Sequence, residues 1–311
     1  LCDYGALPMK QTGFTLIELM IAMALGLIIA ASATLLFLSG QRNLVLQNSA
    51  NSLQDDQSFG LSYLTSHIRL ANLNNNLATV KPDVAKSGII FNKNNLPSGV
   101  TSRADFNDKY SSLTTEDESN FTSTGAVKND QLVIQYRPAE VGGFDCAGGK
   151  IDSRNEFIVE RYFVRADNSP ANHETTAQEK KVLACAAGRY SIPEEGATAT
   201  LDSTLYNNGE IILKRVELFK VRFLVQEGAA KKYMTLEDYV DPTSDQPRIL
   251  SVQLAVISRA SDTSTESTVP VAPTFKLWSD FEVTLNSGQP RRYLRTPIVQ
   301  TVALRNALGD R

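Results

Sequence analysis

A carboxylate within an apolar segment is the residue with the clearest chemical potential in this chain. Glu18 lies in the run MKQTGFTLIELMIAMALGLIIAASATLLFL, residues 9–38. A glutamate in hydrocarbon costs about 2.5 kcal/mol or more, so an acid inside a membrane segment indicates a function. Cleavage after Gly13, at the polar–apolar boundary, would create an α-amino group on Phe14, about one helical turn from Glu18. That amine could pair with the carboxylate, within one chain or between neighbouring chains.

Other chemistry has little support in the sequence. It contains no G-x-S-x-G, H-E-x-x-H, P-loop or dinucleotide-binding glycine pattern. The two histidines, His67 and His173, are interpreted as a helix residue and a loop residue without a ligand role. The acidic run at 116–118 lacks the glycine and alternating oxygen ligands of a calcium loop, and is interpreted as a solvated loop. We therefore expect no catalytic residues, no cofactor and no metal.

The residues around Glu18 resemble the class III signal of type IV pilins and type II secretion pseudopilins. The sequence GFTLIE, residues 13–18, matches that family's G-F-T-L-[IV]-E motif. The resemblance implies that a prepilin peptidase cleaves between Gly13 and Phe14 and that the Phe14 amine is methylated. It also implies that Glu18 neutralises the N-terminus of an adjacent subunit during assembly. A plain membrane anchor with a snorkelling glutamate is the alternative interpretation.

Four segments are predicted from this starting point. Residues 1–13 form a leader, in which Met9 is the natural initiator and residues 1–8 are upstream read-through. Residues 14–38 form a transmembrane and assembly helix, long enough to cross a bilayer. Residues 39–71 continue it as an amphipathic helix, since apolar residues recur at spacings of three and four without an interrupting proline.

The remainder, residues 72–311, is predicted to be a β-rich periplasmic or extracellular domain of one or two lobes. The turn-rich NLNNNL ends the helix at 72–77, and strands are predicted from residue 130 onward. Alternation in 249–258 fits an antiparallel strand, while Pro297 indicates that the strand at 293–304 is interrupted or lies at an edge. The fold class is therefore α+β, a long N-terminal helix packed on an antiparallel sheet, as in type IV pilins.

The charge of the chain restricts the kinds of partner that it can bind, and its cysteine content bears on the compartment in which it folds. The formal net charge is −3, from 31 Lys+Arg against 34 Asp+Glu, which argues against non-specific nucleic-acid binding. Excluding Cys2 with the leader leaves Cys146 and Cys185. An even pair in an exported domain favours a disulfide, and two free buried thiols are the alternative.

Later segments resemble PilW-type minor pilins. They are RVELFKVRFLV, RILSVQLAVISRA and RRYLRTPIVQTVALRN, in that order, and FDCAGG at 144–149 is similar to the first cysteine region of the same group. The residues that carry the match are Val216, Glu217, Val221, Ser258, Arg259, Val302, Leu304, Arg305 and Asn306.

This second resemblance implies a minor pilin at or near the fibre tip that primes pilus assembly. The implied roles are piliation, twitching motility, adhesion or DNA uptake. The implied partners are other minor pilins, the major pilin, the prepilin peptidase/methylase, the inner-membrane assembly platform and a tip adhesin. The chain would reside in the inner membrane before assembly and in the fibre at the cell surface afterwards. A J-like type II secretion pseudopilin and a membrane-anchored periplasmic enzyme or binding module are the alternatives.

Overall fold

The computed structural model describes residues 13–100, 106, 108–171, 174, 180–191, 198–241, 243, 246–263, 273–289 and 293–307. Over these residues the chain divides into two compact units, of which the first ends at Asn48 and the second begins at Ser49. Helix α1, Leu16–Ile68, contributes residues to both units. The predicted long helix is confirmed, because neither Gly26 nor Gly40 interrupts it.

The first unit consists of the N-terminal part of α1. By length and composition this part can cross a membrane, with a mean hydropathy of 2.5 over its most apolar window. All its residues from Leu16 to Gln47 are exposed. Such an apolar surface is unfavourable in water, so it requires lipid or protein around it.

The second unit contains the end of α1, a short helix α2 and two antiparallel sheets. The helix α2 is Leu236–Val240, and short 3₁₀ turns lie at Lys93–Asn95, Asp108–Tyr110, Ser203–Tyr206 and Arg305–Ala307. The strands are β1 Leu113–Thr122, β2 Ala126–Tyr136, β3 Glu156–Ala166, β4 Lys181–Ser191, β5 Glu210–Lys214, β6 Val216–Glu227, β7 Ala230–Thr235, β8 Arg248–Thr263, β9 Thr274–Trp278, β10 Phe281–Leu285 and β11 Tyr293–Ala303. Within the described residues, one sheet has the order β5-β4-β3-β2-β1-β10-β9 and the other β11-β8-β6-β7. The predicted α+β class is confirmed.

The core of the second unit is shared by α1 and both sheets. Leu61, Leu64 and Ile68 are buried on one face of α1 and pack against strands of each sheet. Their spacing is the predicted apolar stripe, and each buried side chain of this size contributes about 1.5–3 kcal/mol. Gly60 lets the helix approach β5 closely, since a Cβ there would lie 3.2 Å from the carbonyl oxygen of Ile212.

Polar groups hold the turn that follows helix α1. Asn72 adopts a left-handed backbone conformation with a φ of 64°, and its N–H donates to the carbonyl of Gln135. The side chain of Asn306 donates to the carbonyls of Arg69 and Ala71, at 3.2 Å each, just after the helix ends at Ile68. The predicted turn after the helix is confirmed, and a residue more than two hundred positions later in the chain holds it.

Two sequence interpretations need correction or refinement. Residues 116–118 form part of β1 and not a solvated loop, because neighbouring cations stabilise their charges in the strand: Asp117 pairs with Lys181 at 2.9 Å. The segment at 211–225 is two strands in different sheets, and Arg215, with a φ of 57°, makes the turn between them. Pro297 lies in an edge strand, as predicted.

Candidate assembly site

Thr15 and Glu18 form a reciprocal capping box at the start of helix α1. The backbone N–H and the hydroxyl of Thr15 both donate to Oε2 of Glu18, at 3.0 Å each. In return, the N–H of Glu18 donates to the Thr15 hydroxyl at 3.3 Å. The [ST]-x-x-E pattern that makes this arrangement is present in the sequence as TLIE, and sequence analysis overlooked it. Glu18 is therefore also a helix-capping residue.

The cap leaves the charge of Glu18 without a counter-charge. Thr15 supplies dipoles but no cation, and Oε1 of Glu18 has no partner among the described residues. Phe14, directly before the cap, is 91% exposed. In hydrocarbon, a carboxylate with one free oxygen is stabilised strongly by an added positive charge. The geometry therefore leaves Oε1 available to a cationic group from outside the helix.

In the second unit, a buried carboxylate fixes α1 to the seven-stranded sheet. Glu160, on β3, is fully buried and accepts four hydrogen bonds within the described part of the chain. The donors are His67 Nδ1 at 3.0 Å, the Tyr136 hydroxyl at 3.0 Å, the Tyr162 hydroxyl at 2.6 Å and the Cys146 N–H at 2.9 Å. These bonds give a buried anion the stabilisation that it requires.

The same cluster shifts the pKa values of its members. Burial lowers the pKa of His67, but the hydrogen bond and charge of Glu160 outweigh it, so the pKa of His67 is raised above its ordinary value. Burial, together with the nearby charge of Glu160, raises the pKa of Tyr136 and of Tyr162 well above the usual value of a tyrosine. The two tyrosines therefore remain neutral hydrogen-bond donors.

A disulfide lies beside this cluster. Cys146 and Cys185 are bonded, with Cα atoms 6.0 Å apart and a sequence separation of 39. The hydroxyl of Tyr63, on α1, donates to the carbonyl of Cys146 at 3.1 Å. The predicted disulfide is present, and it holds the loop after β2 against β4 and the helix. Cys2, Met9 and His173 lie outside the described residues.

Several residues of the segments that resemble PilW-type minor pilins form hydrogen bonds that hold the fold together. Ser258 accepts a hydrogen bond from Gln57 of α1 at 2.7 Å. Glu217 accepts two hydrogen bonds from Arg295, at 2.6 and 3.1 Å, while Arg259 lies 3.8 Å away. Together with the bonds from Asn306 to the turn after α1, these contacts join the last strands to the helix and to one another. Their spacing in the sequence thus reflects the packing of the second unit.

Comparisons with known proteins agree with this arrangement. Residues 8–34 match the family model described as the prokaryotic N-terminal methylation motif, and residues 161–306 match that of type IV pilus-assembly protein W. The chain is a PilW-type member of the type IV pilin family. The second match contains the three later segments that resemble PilW-type minor pilins, whereas FDCAGG at 144–149 lies outside it.

A search of curated proteins finds no match to this pilin. Among solved structures, a type IV-like pilin from Thermus thermophilus is 13% identical, with 82% of this chain and 98% of that chain covered and a TM-score of 0.37. This likeness is too low to add to the identification, which rests on the two family models and the fold.

Membership of this family indicates the general role of the protein. It is a structural protein that is anchored in the inner membrane by its N-terminal helix and incorporated into a pilus. It interacts with other pilins and with the pilus assembly machinery.

Proposed function

We propose that this chain is a minor pilin that primes assembly of a type IV pilus at or near the tip. The observation that carries the proposal is Oε1 of Glu18, which has no partner among the described residues and lies at the start of an exposed apolar helix. Cleavage between Gly13 and Phe14 would give each subunit one amine, and a neighbour's amine supplies the cation that Thr15 does not. Ion pairing in lipid then favours docking over free diffusion of single helices.

The proposed pairing of Glu18 with a neighbouring amine also indicates which partners the chain has. Other minor pilins and the major pilin carry the apolar helices that cover α1, the prepilin peptidase/methylase processes Phe14, and the inner-membrane platform extracts the docked subunits. A tip adhesin is the further partner of a tip position. The match to a pilus-assembly family supports a pilus over a secretion pseudopilus. Loss of enzyme secretion with intact pili in a deletion strain would favour the pseudopilin instead.

Processing is tested by mass spectrometry of the mature chain from its native membrane. We expect a chain that begins at N-methylated Phe14, because the cleavage site lies at the polar–apolar boundary. Gly13→Val provides the control, since a β-branched residue should block cleavage and leave the leader attached. A wild-type chain that still begins at Met9 would rule out the processing step.

Glu18 is tested by two substitutions that separate its two roles. Glu18→Gln retains a side chain that can complete a capping box but has no charge, whereas Glu18→Ala removes both. We expect both variants to insert in the membrane normally and to lose most of their incorporation, measured by immunoblotting of sheared pili.

Thr15→Val is the matched control for the cap. It removes the hydroxyl at a cost of about 1 kcal/mol and leaves the Glu18 charge in place, so incorporation should be largely retained. If Glu18→Gln were incorporated like the wild type, capping and not charge pairing would be the role of Glu18.

A further inference from the structure

A cleft in the second unit has the size of a small-ligand site. Its volume is about 650 Å³, within the usual range of roughly 300–1,000 Å³. The β1–β2 hairpin, strands β6 and β7, helix α2 and the β9–β10 hairpin contribute to its walls. We call it the β6–β7 cleft, and the residues used below are Lys128, Lys220, Arg222, Tyr233, Trp278 and Asp280.

A stacked arginine forms the rigid part of the β6–β7 cleft. The guanidinium of Arg222 lies over the rings of Tyr233 and Trp278, 4.1 and 4.4 Å from their centroids. Its Nε donates to Gln253 at 2.5 Å, and its Nη1 pairs with Asp280 at 3.0 Å. Such stacking and pairing fix the side chain before any ligand arrives. Tyr233 stays 45% exposed on edge strand β7.

Trp278 is the buried member of the stack. The residue is only 6% exposed, and its indole N–H has no acceptor among the described residues. The nitrogen itself is shielded from solvent, so Trp278 serves the cleft by fixing Arg222 and not by donating a hydrogen bond to a ligand.

The charges of the β6–β7 cleft are already balanced. Lys128 pairs with Glu116 at 2.6 Å, Lys220 with Asp130 at 2.5 Å, and Arg222 with Asp280. The cleft therefore offers no excess positive charge to an anion. Hydroxyls and carboxylates also line it, which disfavours a purely apolar ligand. They belong to Thr114, Ser123, Thr124, Thr235, Glu237 and Asp238.

The geometry points to a neutral oligosaccharide as the ligand of the β6–β7 cleft. A sugar ring presents C–H groups, which pack on an aromatic ring such as Tyr233, and hydroxyls, which bond to both donors and acceptors. The hydroxyl oxygens can accept hydrogen bonds from the lysines of the wall, and the hydroxyl protons suit its carboxylates. None of these residues belongs to the N-terminal segment, so the inference is independent of the assembly proposal.

The sole tryptophan of the chain makes the test specific. Trp278 is that residue, so tryptophan fluorescence reports on the cleft alone. The full-length protein is purified in lauryldimethylamine oxide, a detergent without a sugar headgroup, and titrated with cellotetraose, maltotetraose and tetra-N-acetylchitotetraose. We expect a saturable fluorescence change with at least one of them, and a Kd weakened about tenfold or more in Tyr233→Ala.

Matched variants separate binding from folding. Lys232→Ala changes the adjacent exposed residue of β7, whose side chain points to the opposite face of the strand, and should bind like the wild type. Glu237→Ala, exposed at the cleft, replaces Tyr233→Ala if circular dichroism shows that the latter is unfolded. The inference is overturned by no saturable response to the three sugars, by equal affinity in the folded cleft variant, or by a response to hexaglutamate peptide alone.

Discussion

Glu18 and Glu160 are two carboxylates outside bulk water that differ in how many of their oxygens accept hydrogen bonds. Glu160 uses both oxygens within its own chain, through hydrogen bonds to a histidine, two tyrosines and a backbone N–H. Within the described residues, Glu18 uses only Oε2, in its capping box. A fully bonded carboxylate fixes a structure, whereas a partly bonded one remains able to accept a partner. Glu160 thus has a structural role, whereas the role proposed for Glu18 is in assembly.

The raised pKa of His67 makes stability depend on pH. Because the folded state favours its protonated form, the stabilisation is fully present below the unfolded pKa of about 6.5 and is lost as pH rises through the raised value. Glu160 and Asp145 are the charged groups responsible, and the Tyr63 ring lies 4.6 Å away. We expect the free energy of unfolding, measured with urea in detergent, to fall as the pH rises above about 6.5.

His67→Gln should flatten that pH dependence, because glutamine can still donate to Glu160 but does not titrate. His173→Gln is the matched control, since it removes the other histidine of the chain. An unchanged slope in His67→Gln would contradict the assignment of the pH dependence to this contact.

At the scale of elements, periodicity predicted some parts well and could not predict others. The apolar stripe of α1 and the alternation in β8 depend on local pattern, and the structure confirms both. Strand β1 was missed because its sequence, LTTEDESNFT, is stable as a strand only through cations that lie far away in the sequence, such as Lys181. No local pattern contains that information.

The functional and buried polar residues show the same limit of prediction from local sequence pattern. The motif at residues 13–18 predicts Gly13, Phe14 and Glu18 as site residues, which stays a prediction, while the cysteine count led to the disulfide that the structure contains. Glu160 was not identified, because a glutamate within the run EFIVERYFVR does not reveal which side chains surround it. The Arg222 stack was also missed, since its two rings come from β7 and β9.

At the scale of the whole second unit, buried polar groups join the two sheets. Asp130, on β2 of the seven-stranded sheet, pairs with Lys220 on β6 of the other sheet at 2.5 Å. Its second oxygen accepts the N–H of Val221 at 2.7 Å, and Thr114 donates to the first at 2.8 Å. The side chain of Asp130 is fully buried. Asp130 therefore contributes polar contacts between the two sheets, in addition to the apolar core that they share.

Asp130→Ala should lower the free energy of unfolding by about 3–5 kcal/mol, because it leaves a nearly buried ammonium and a buried N–H without their acceptor. Chemical denaturation of the full chain measures the change. Glu116→Ala is the matched control: it removes the carboxylate of another lysine pair, but one that is exposed, and should cost less than about 1 kcal/mol. Equal effects of the two substitutions would show that Asp130 does not join the sheets.

The bonds from Asn306 to the turn after helix α1 have a consequence for export. The helix is made first, but the turn that follows it is held by a residue more than two hundred positions later. Strand β11, which completes its sheet, also arrives late. We therefore expect the chain to cross the membrane largely unfolded, and its second unit to close only after translocation is almost finished. Until then, exposed strands need protection from aggregation, a task suited to periplasmic chaperones.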